Sequence, residues 1–429
     1  MRILSVRGAL PEHRYEQREI TTTFTETMLG DAVDRSIVER LHRNAGVETR
    51  HLALPIERYA QLRDFGESND AFIEVGVELG AQAVTEALKA AGLTPEDVDL
   101  IVSATVTGLA VPSLEARVAQ VIGLRPDVIR MPLVGLGCVA GAAGVARLHD
   151  YLVGHPDKVA VLMSVELCSL TLQRNDASMA NLVASGLFGD GAAAVVAAGS
   201  ARADDLASLR SVQPEVLASR SRLYPDSERT MGWDVGATGL KIVLDNKVPE
   251  LVRTYVGGDV DAFLADHGLS QSDIEWYVAH PGGPKVLEAL ADALDVSRDA
   301  LQVTWDSLAK IGNLSSASVL NVLADTPAGN TSGTASDPTM TPVPTPASST
   351  PPAAPRFAGG TAPWTAGPAS AMRMPPATPA PARHKASHIS PPFQAPAAND
   401  SAASARPRSR AAAVPTRMAS RRPPSTPAR

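Results

Sequence analysis

Apolar positions between residues 75 and 91 recur at helical spacing, placing Val77, Ala81, Val84, Leu88 and Ala91 on one face. Gly92 stops that helix, and Thr94-Pro95-Glu96-Asp97 reads as a capped turn. The turn leads into the apolar run Leu100–Ala104, a buried strand. Further apolar runs at Lys158–Val165, Ala192–Ala197 and Trp276–Ala279 also predict strands. Helical and strand patterns alternate along the chain, which points to an α/β fold.

The pattern repeats. GLTPEDVDLIVSA (Gly92–Ala104) matches GLSQSDIEWYVAH (Gly268–His280) at an offset of 176, and within one residue of that offset GLGCVAGAAGV (Gly135–Val145) matches KIGNLSSASVL (Lys310–Leu320). Each member of the second pair is a glycine-led turn followed by small and then apolar residues, as where a tight turn enters a closely packed helix. Two matches at one offset predict two similar α/β halves related by duplication. Cys138 and Asn313 then occupy matching turns and are expected near the junction of the halves.

Composition alters this picture only after Thr326. Residues 327–429 hold 22 of the 34 prolines, no leucine, and 11 basic against 2 acidic residues. Such a stretch cannot bury enough apolar surface to offset its ordering entropy, so disorder is expected there. The first 326 residues carry 28 basic and 44 acidic residues. Three regions follow: a first α/β half (1–200), a shortened second half (201–326) and the Pro/Ala/Arg-rich tail (327–429). Two cysteines, Cys138 and Cys168, exclude a disulfide scaffold and suit no structural zinc site. No apolar run reaches the ~18–20 residues of a membrane span, and the N-terminus lacks the apolar stretch of a secretory signal. A cytoplasmic, reducing environment is expected. The tail's basic residues form no patterned stripe, so nucleic acid is not expected as a partner.

Three residues carry candidate chemistry. Cys138 follows a strand pattern (Met131–Val134) through Gly-Leu-Gly into a helix, where the helix dipole and unpaired N–H groups favour a thiolate; a buried structural cysteine is the ordinary alternative. His280 ends a strand pattern before Pro281-Gly282-Gly283-Pro284, and could pair with Cys138 as imidazolium and thiolate or be a structural histidine. Asn313 offers an amide donor or a helix cap. Together, thiol, imidazole and amide at a pseudo-symmetric junction suit acyl transfer followed by stabilisation of an enolate.

GLGCVAGAAG, LFGDGAAAVV (Leu187–Val196), AHPGG (Ala279–Gly283) and GNLSSASVL (Gly312–Leu320) resemble the type III polyketide synthases, the chalcone-synthase-like family of the thiolase fold. The stretches Thr105–Val128 and Ser164–Arg174 look closest to bacterial alkylpyrone and alkylresorcinol synthases. The resemblance spans residues 1 to 326. It implies a homodimeric acyltransferase that loads an acyl-CoA starter on Cys138 and decarboxylates malonyl-CoA beside it. His280 and Asn313 would hold the enolate oxygen, and condensation would repeat before cyclisation. It further implies Phe188 as a gatekeeper aromatic, Ile242 in place of a second one, Val111 reaching across the dimer, Cys168 at a cavity wall, and Arg40, Arg43 and Arg50 at the CoA phosphates. No metal or redox cofactor is implied.

The resemblance breaks after Ala324. The family continues into two strands joined by a Gly-Pro-Gly-type loop, and the tail stands in their place. A shifted reading frame or replaced C-terminus in GC-rich coding sequence would give such a composition. Missing strands would leave unpaired backbone at the edge of the second half's sheet, a loss comparable with the ~5–15 kcal/mol margin of a folded domain. Two other readings stay open: a ketoacyl-ACP synthase III, with one condensation on a carrier protein, and an inactive, truncated paralogue.

Overall fold

The computed structural model describes residues 1–29, 33–174, 176–207 and 214–326; the tail expected to be disordered lies outside them. The strands are β1 (Arg2–Ala9), β2 (His13–Glu16), β3 (Thr49–Leu52), β4 (Leu100–Ala104), β5 (Ile129–Leu133), β6 (Val159–Leu167), β7 (Asp190–Ala198), β8 (Met231–Gly236) and β9 (Gly239–Leu244). Five of them form one mixed sheet in the order β1-β7-β6-β4-β5. Within it β4 runs parallel to both β5 and β6, while β7 is antiparallel to β6 and β1.

Every residue of β4, β6 and β7 is buried, because the sheet is covered on both faces. That is why these strands read as unbroken apolar runs rather than alternating ones. Met163, Val165, Ala194 and Val196 face the long helix α3, and Leu162, Ala193, Val195 and Ala197 face the opposite layer. The helices are α1 (Gln17–Phe24), α2 (Arg35–Asn44), α3 (Phe65–Ala90), α4 (Leu114–Ile122), α5 (Ala140–Gly154), α6 (Met179–Leu187), α7 (Ser200–Ala207), α8 (Val248–Ala265), α9 (Pro284–Leu294), α10 (Gln302–Ile311) and α11 (Ser318–Asp325). Helix α3 starts ten residues before the predicted face, capped by the Asp64 carboxylate, which accepts from the Glu67 N–H at 3.1 Å.

The repeat is visible in local geometry. Gly92 and Gly268 both have positive φ (61° and 70°). Each is followed by a 3-10 turn closed by a capping box, Thr94 with Asp97 and Ser270 with Asp273. After this point the halves part. The first turn feeds β4, paired on both sides. In the second, residues 274–283 carry no ladder to any described strand, so the strand predicted at Trp276–Ala279 does not form. A strand pattern becomes a strand only when a neighbour supplies backbone partners. Helices α8, α9 and α10 hold the second half through their own apolar cores, and Leu320 and Leu323 of α11 pack on the first half's sheet.

Candidate active site

After β5 the chain turns at Gly135 (φ 85°) and Gly137 (φ 59°) into a 3-10 turn, Gly137–Val139, that opens α5. Cys138 sits in this turn, buried, with its Sγ 3.4 Å from Ser315 Oγ. Ser315 belongs to the matching turn of the second half, Ser315–Ala317, at the start of α11. A Cβ on Gly141 would lie 2.2 Å from the Ser316 carbonyl oxygen, so the two helix starts touch backbone to backbone. The turn pair foreshadowed by the repeat thus meets at one junction.

Asn313 is tied to the chain around Phe188 by main-chain bonds. Its N–H donates to the Leu187 carbonyl and its carbonyl accepts from the Gly189 N–H, both at 3.0 Å, so residues 188 and 313 lie side by side as a parallel bridge. The Asn313 Oδ1 accepts from the Ser315 N–H (2.8 Å) and from Ser318 Oγ (3.4 Å). That leaves Nδ2 as the donor the side chain can offer, among the described residues.

A cavity of about 350 Å³ opens beside the thiol, lined by Cys138, Cys168, Phe188, Trp233, Ile242 and Ser315 among others. Trp233 and Ile242 face each other across the β8–β9 hairpin. The hairpin therefore sets a large aromatic beside Ile242, which the resemblance had put in place of a second gatekeeper aromatic. Trp233 and Ser315 escaped the sequence reading; the alternation in MGWDVG and the serines after Asn313 were the signals available.

Charge in the site is set by burial. The Cys138 thiol is pushed up to about 11, chiefly by burial and further by the Glu166 carboxyl, against a Ser315 hydrogen bond that lowers it. Cys168 is pushed well above the ordinary thiol range by the same cause. His280 is pushed down to about 4 by burial, and its Nδ1 has no hydrogen-bond partner. Burial thus opposes the charged form of each group, against the thiolate–imidazolium pairing that the sequence allows. No hydrogen bond joins His280 to Cys138 among the described residues. Ala279, the residue before His280, packs with Leu187 and Leu287 in a second-half core cluster. Glu166, raised by burial to about 7, accepts from Ser316 Oγ, Thr107 Oγ1 and the Val106 N–H.

The remaining expectations divide. Val111 is 94% exposed, on the loop before α4 and away from its own chain's cavity. Arg40 and Arg43 are exposed on α2. Arg50 is a correction: it is 1% exposed and cannot reach a CoA phosphate at the surface. Its Nε donates to Gln17 Oε1 (3.0 Å) and its Nη1 to the Phe188 carbonyl (2.7 Å), while burial lowers it to about 10 against the opposing pull of Asp190. Asp190, raised to about 6 by burial, accepts from the Ala53 and Ser169 N–H groups. A basic residue in TRHL looked like surface; in the fold it anchors the main chain at Phe188. Among the described residues no His, Cys, Asp and Glu side chains group as a metal site, and no helix is long and apolar enough to cross a membrane.

Comparison with known proteins agrees with this geometry. The profile of the chalcone and stilbene synthase N-terminal domain matches residues 1–201, and that of the C-terminal domain matches residues 215–334. The chain belongs to this family. Its members here are type III polyketide synthases, acyltransferases of the thiolase fold. A 1,3,6,8-tetrahydroxynaphthalene synthase of Streptomyces peucetius subsp. caesius is 55% identical over 323 residues, covering 75% of this chain and 84% of the relative. A putative chalcone synthase of Bacillus subtilis is 35% identical, covering 75% and 90% respectively. The crystal structure of the 1,3,6,8-tetrahydroxynaphthalene synthase from Streptomyces coelicolor superposes with a TM-score of 0.69 at 30% identity, covering 75% of this chain and 89% of that one.

Proposed function

We propose that the chain condenses malonyl units iteratively on Cys138. The observation that carries this reading is the buried Cys138 at the meeting of the two duplicated turns, lining a cavity of about 350 Å³. In the first step the sulfur attacks the acyl-CoA carbonyl; the Cys–S–acyl bond forms, the acyl–S bond to CoA breaks, and CoA leaves as the free thiol with the proton that Cys138 gives up. Malonyl-CoA then loses carbon dioxide, and its electron pair is held as a thioester enolate. The Asn313 Nδ2 and the His280 imidazole are the donors for that oxygen. A neutral imidazole retains one N–H for the purpose, and donors fixed in a buried site act mostly on the charge that develops. The carbanion attacks the acyl carbonyl, the C–S bond breaks, and the lengthened chain is reloaded on Cys138.

The relatives bear on the product. Those named as 1,3,6,8-tetrahydroxynaphthalene synthases support a polyhydroxylated aromatic product built from malonyl-CoA. Alkylpyrone or alkylresorcinol products, expected from the sequence, are a second reading, favoured by the apolar Leu136, Leu172, Ala184 and Ile242 at the cavity wall, which suit an alkyl starter. Arg40 and Arg43 would meet CoA phosphates. Val111, which with Leu109, Ile129 and Val134 is among the exposed apolar side chains, would meet a second copy in a homodimer. The cytoplasm, where CoA thioesters are made, is the compartment for this chemistry.

Product analysis by mass spectrometry decides between the readings. With malonyl-CoA alone, an aromatic polyol is expected. Products that form only when a fatty acyl-CoA is added support the alkyl reading, and absence of any condensation with either overturns both.

A further inference from the structure

Residues 274–280 have the packing of a strand without the ladder of one. At the repeat offset of 176 they correspond to β4, so that Tyr277 matches Ile101 and Val278 matches Val102. In β4 these side chains alternate: Ile101 packs on the α3 side, and Val102 in the cluster shared with Leu320 of α11. The second half repeats the alternation. Tyr277 and Ala279 share a cluster with Leu287 of α9 and Trp305 of α10, while Val278 joins Val102 in the α11 cluster. Side chains that alternate between two covered faces mark a strand inside a layered sheet. The backbone agrees, since Ile274 is extended (φ −91°, ψ 117°) and no turn or bend interrupts 274–280.

The edges of the segment are open. Among the described residues, the N–H groups of 275–280 and the carbonyls of 275–278 make no hydrogen bond. The corresponding β4 has β5 on one side and β6 on the other. The repeat defines what would stand at each edge. Shifted by 176, β5 falls on residues 305–309, inside α10, so that position is helical. Shifted likewise, β6 falls on 335–343, shortly after α11, and β7 on 366–374. The first stretch contains Pro338 and Pro342, and the second Pro368. Proline has no N–H for a ladder and is excluded from the interior of a central strand. The chain's own sequence therefore supplies no equivalent of β6 or β7 at these positions.

We infer that residues 275–280 are a docking edge for a second polypeptide, which adds an apolar strand pair equivalent to β6 and β7. Its first strand runs parallel to 276–280, as β6 does to β4, and exchanges backbone hydrogen bonds with it. Its side chains are apolar on both faces, because helices cover both layers; every residue of β6 and β7 is buried for the same reason. A second copy of this chain carries the same prolines and is not that partner. The docking does not depend on the condensation chemistry at Cys138.

The probe is the segment of the Streptomyces peucetius relative that follows its counterpart of α11, prepared as a separate polypeptide and mixed with the full chain. Hydrogen exchange at the N–H groups of 275–280 is expected to slow by about tenfold or more on mixing. Melting temperature should rise with segment concentration. Glu275→Pro and Trp276→Pro remove consecutive N–H groups, which point to opposite edges of an extended segment and are unbonded in the free chain. At least one of them should bind the segment about tenfold more weakly than Glu275→Ala and Trp276→Ala, which keep the N–H. Exchange in the parent stands as the test even where a proline variant fails to fold. Absence of binding, binding that leaves 275–280 unprotected, or equal binding by folded proline and alanine variants overturns the inference. Protection of 275–280 in the unmixed chain equal to that of β4 overturns it too, because the edge would already be covered.

Discussion

The contact between the two turns can be broken with one methyl group. In Gly141→Ala the new Cβ would stand 2.2 Å from the Ser316 carbonyl oxygen and 2.7 Å from Val319 Cγ1. A carbon and an oxygen rest no closer than about 3.3 Å, so the turns must part by roughly 1 Å. Overpacking of this kind costs about 1–3 kcal/mol, and replacing a helical glycine by alanine returns about 0.5–1 kcal/mol, leaving a net loss of order 1 kcal/mol. The effect on rate is expected to be larger. Ser316 follows the residue that touches the thiol, and a displacement of about 1 Å at a reacting group can cost about 100-fold. The control is Gly258→Ala in α8, where a Cβ meets nothing within 4 Å. It should gain about 0.5–1 kcal/mol and leave the rate unchanged. Calorimetric melting and the release of CoA from malonyl-CoA measure both quantities. A Gly141→Ala protein as active as the parent and stabilised like the control would show that the helix starts are not in contact.

Further outcomes follow from the buried charges. Arg50→Met strands the Phe188 carbonyl and Gln17 Oε1, and should cost about 2–4 kcal/mol and lower kcat more than it raises KM for malonyl-CoA; a raised KM with an unchanged melting temperature would return Arg50 to the CoA site. Arg40→Ala, on the exposed face of α2, should do the reverse, raising KM with kcat and melting temperature unchanged. Glu166 has its folded pKa raised to about 7 above an unfolded value near 4.5, so the folded state holds its proton longer. Its contribution is fully present below about pH 4.5 and is lost as pH rises through 7. Relative to Glu166→Gln, the parent should therefore lose up to about 3 kcal/mol between pH 4.5 and 8 in denaturant titrations. A constant difference across that range contradicts the assignment.

Local patterns were the legible part of this chain. The capped turn at Thr94 depends on neighbours in sequence and stands where the pattern put it, as does the strand Leu100–Ala104, which finds partners on both sides. The duplication also brought the Cys138 turn and the turn after Asn313 to one place. What stayed hidden depends on distant partners. Trp276–Ala279 has the composition of a strand, yet strand formation needs a ladder from elsewhere in the chain, and no described residue supplies it. Arg50 reads as surface charge, and only hydrogen bonds to Gln17 and Phe188, 33 and 138 residues away, with the nearby charge of Asp190, allow its burial. The thiolate favoured at a helix start was overridden for a similar reason. Burial raises the thiol by more than the local N–H groups lower it, and the depth of burial is a property of the assembled halves.

Brief incubation of the full chain with malonyl-CoA or an acyl-CoA starter, acid quenching and peptide mapping by mass spectrometry locates the covalent intermediate. The expected result is an acyl adduct on the peptide carrying Cys138 and none on the peptide carrying Cys168, with condensation lost in Cys138→Ser. Product formation without an adduct at Cys138, or an adduct confined to Cys168, would contradict the assignment of the junction sulfur as the nucleophile.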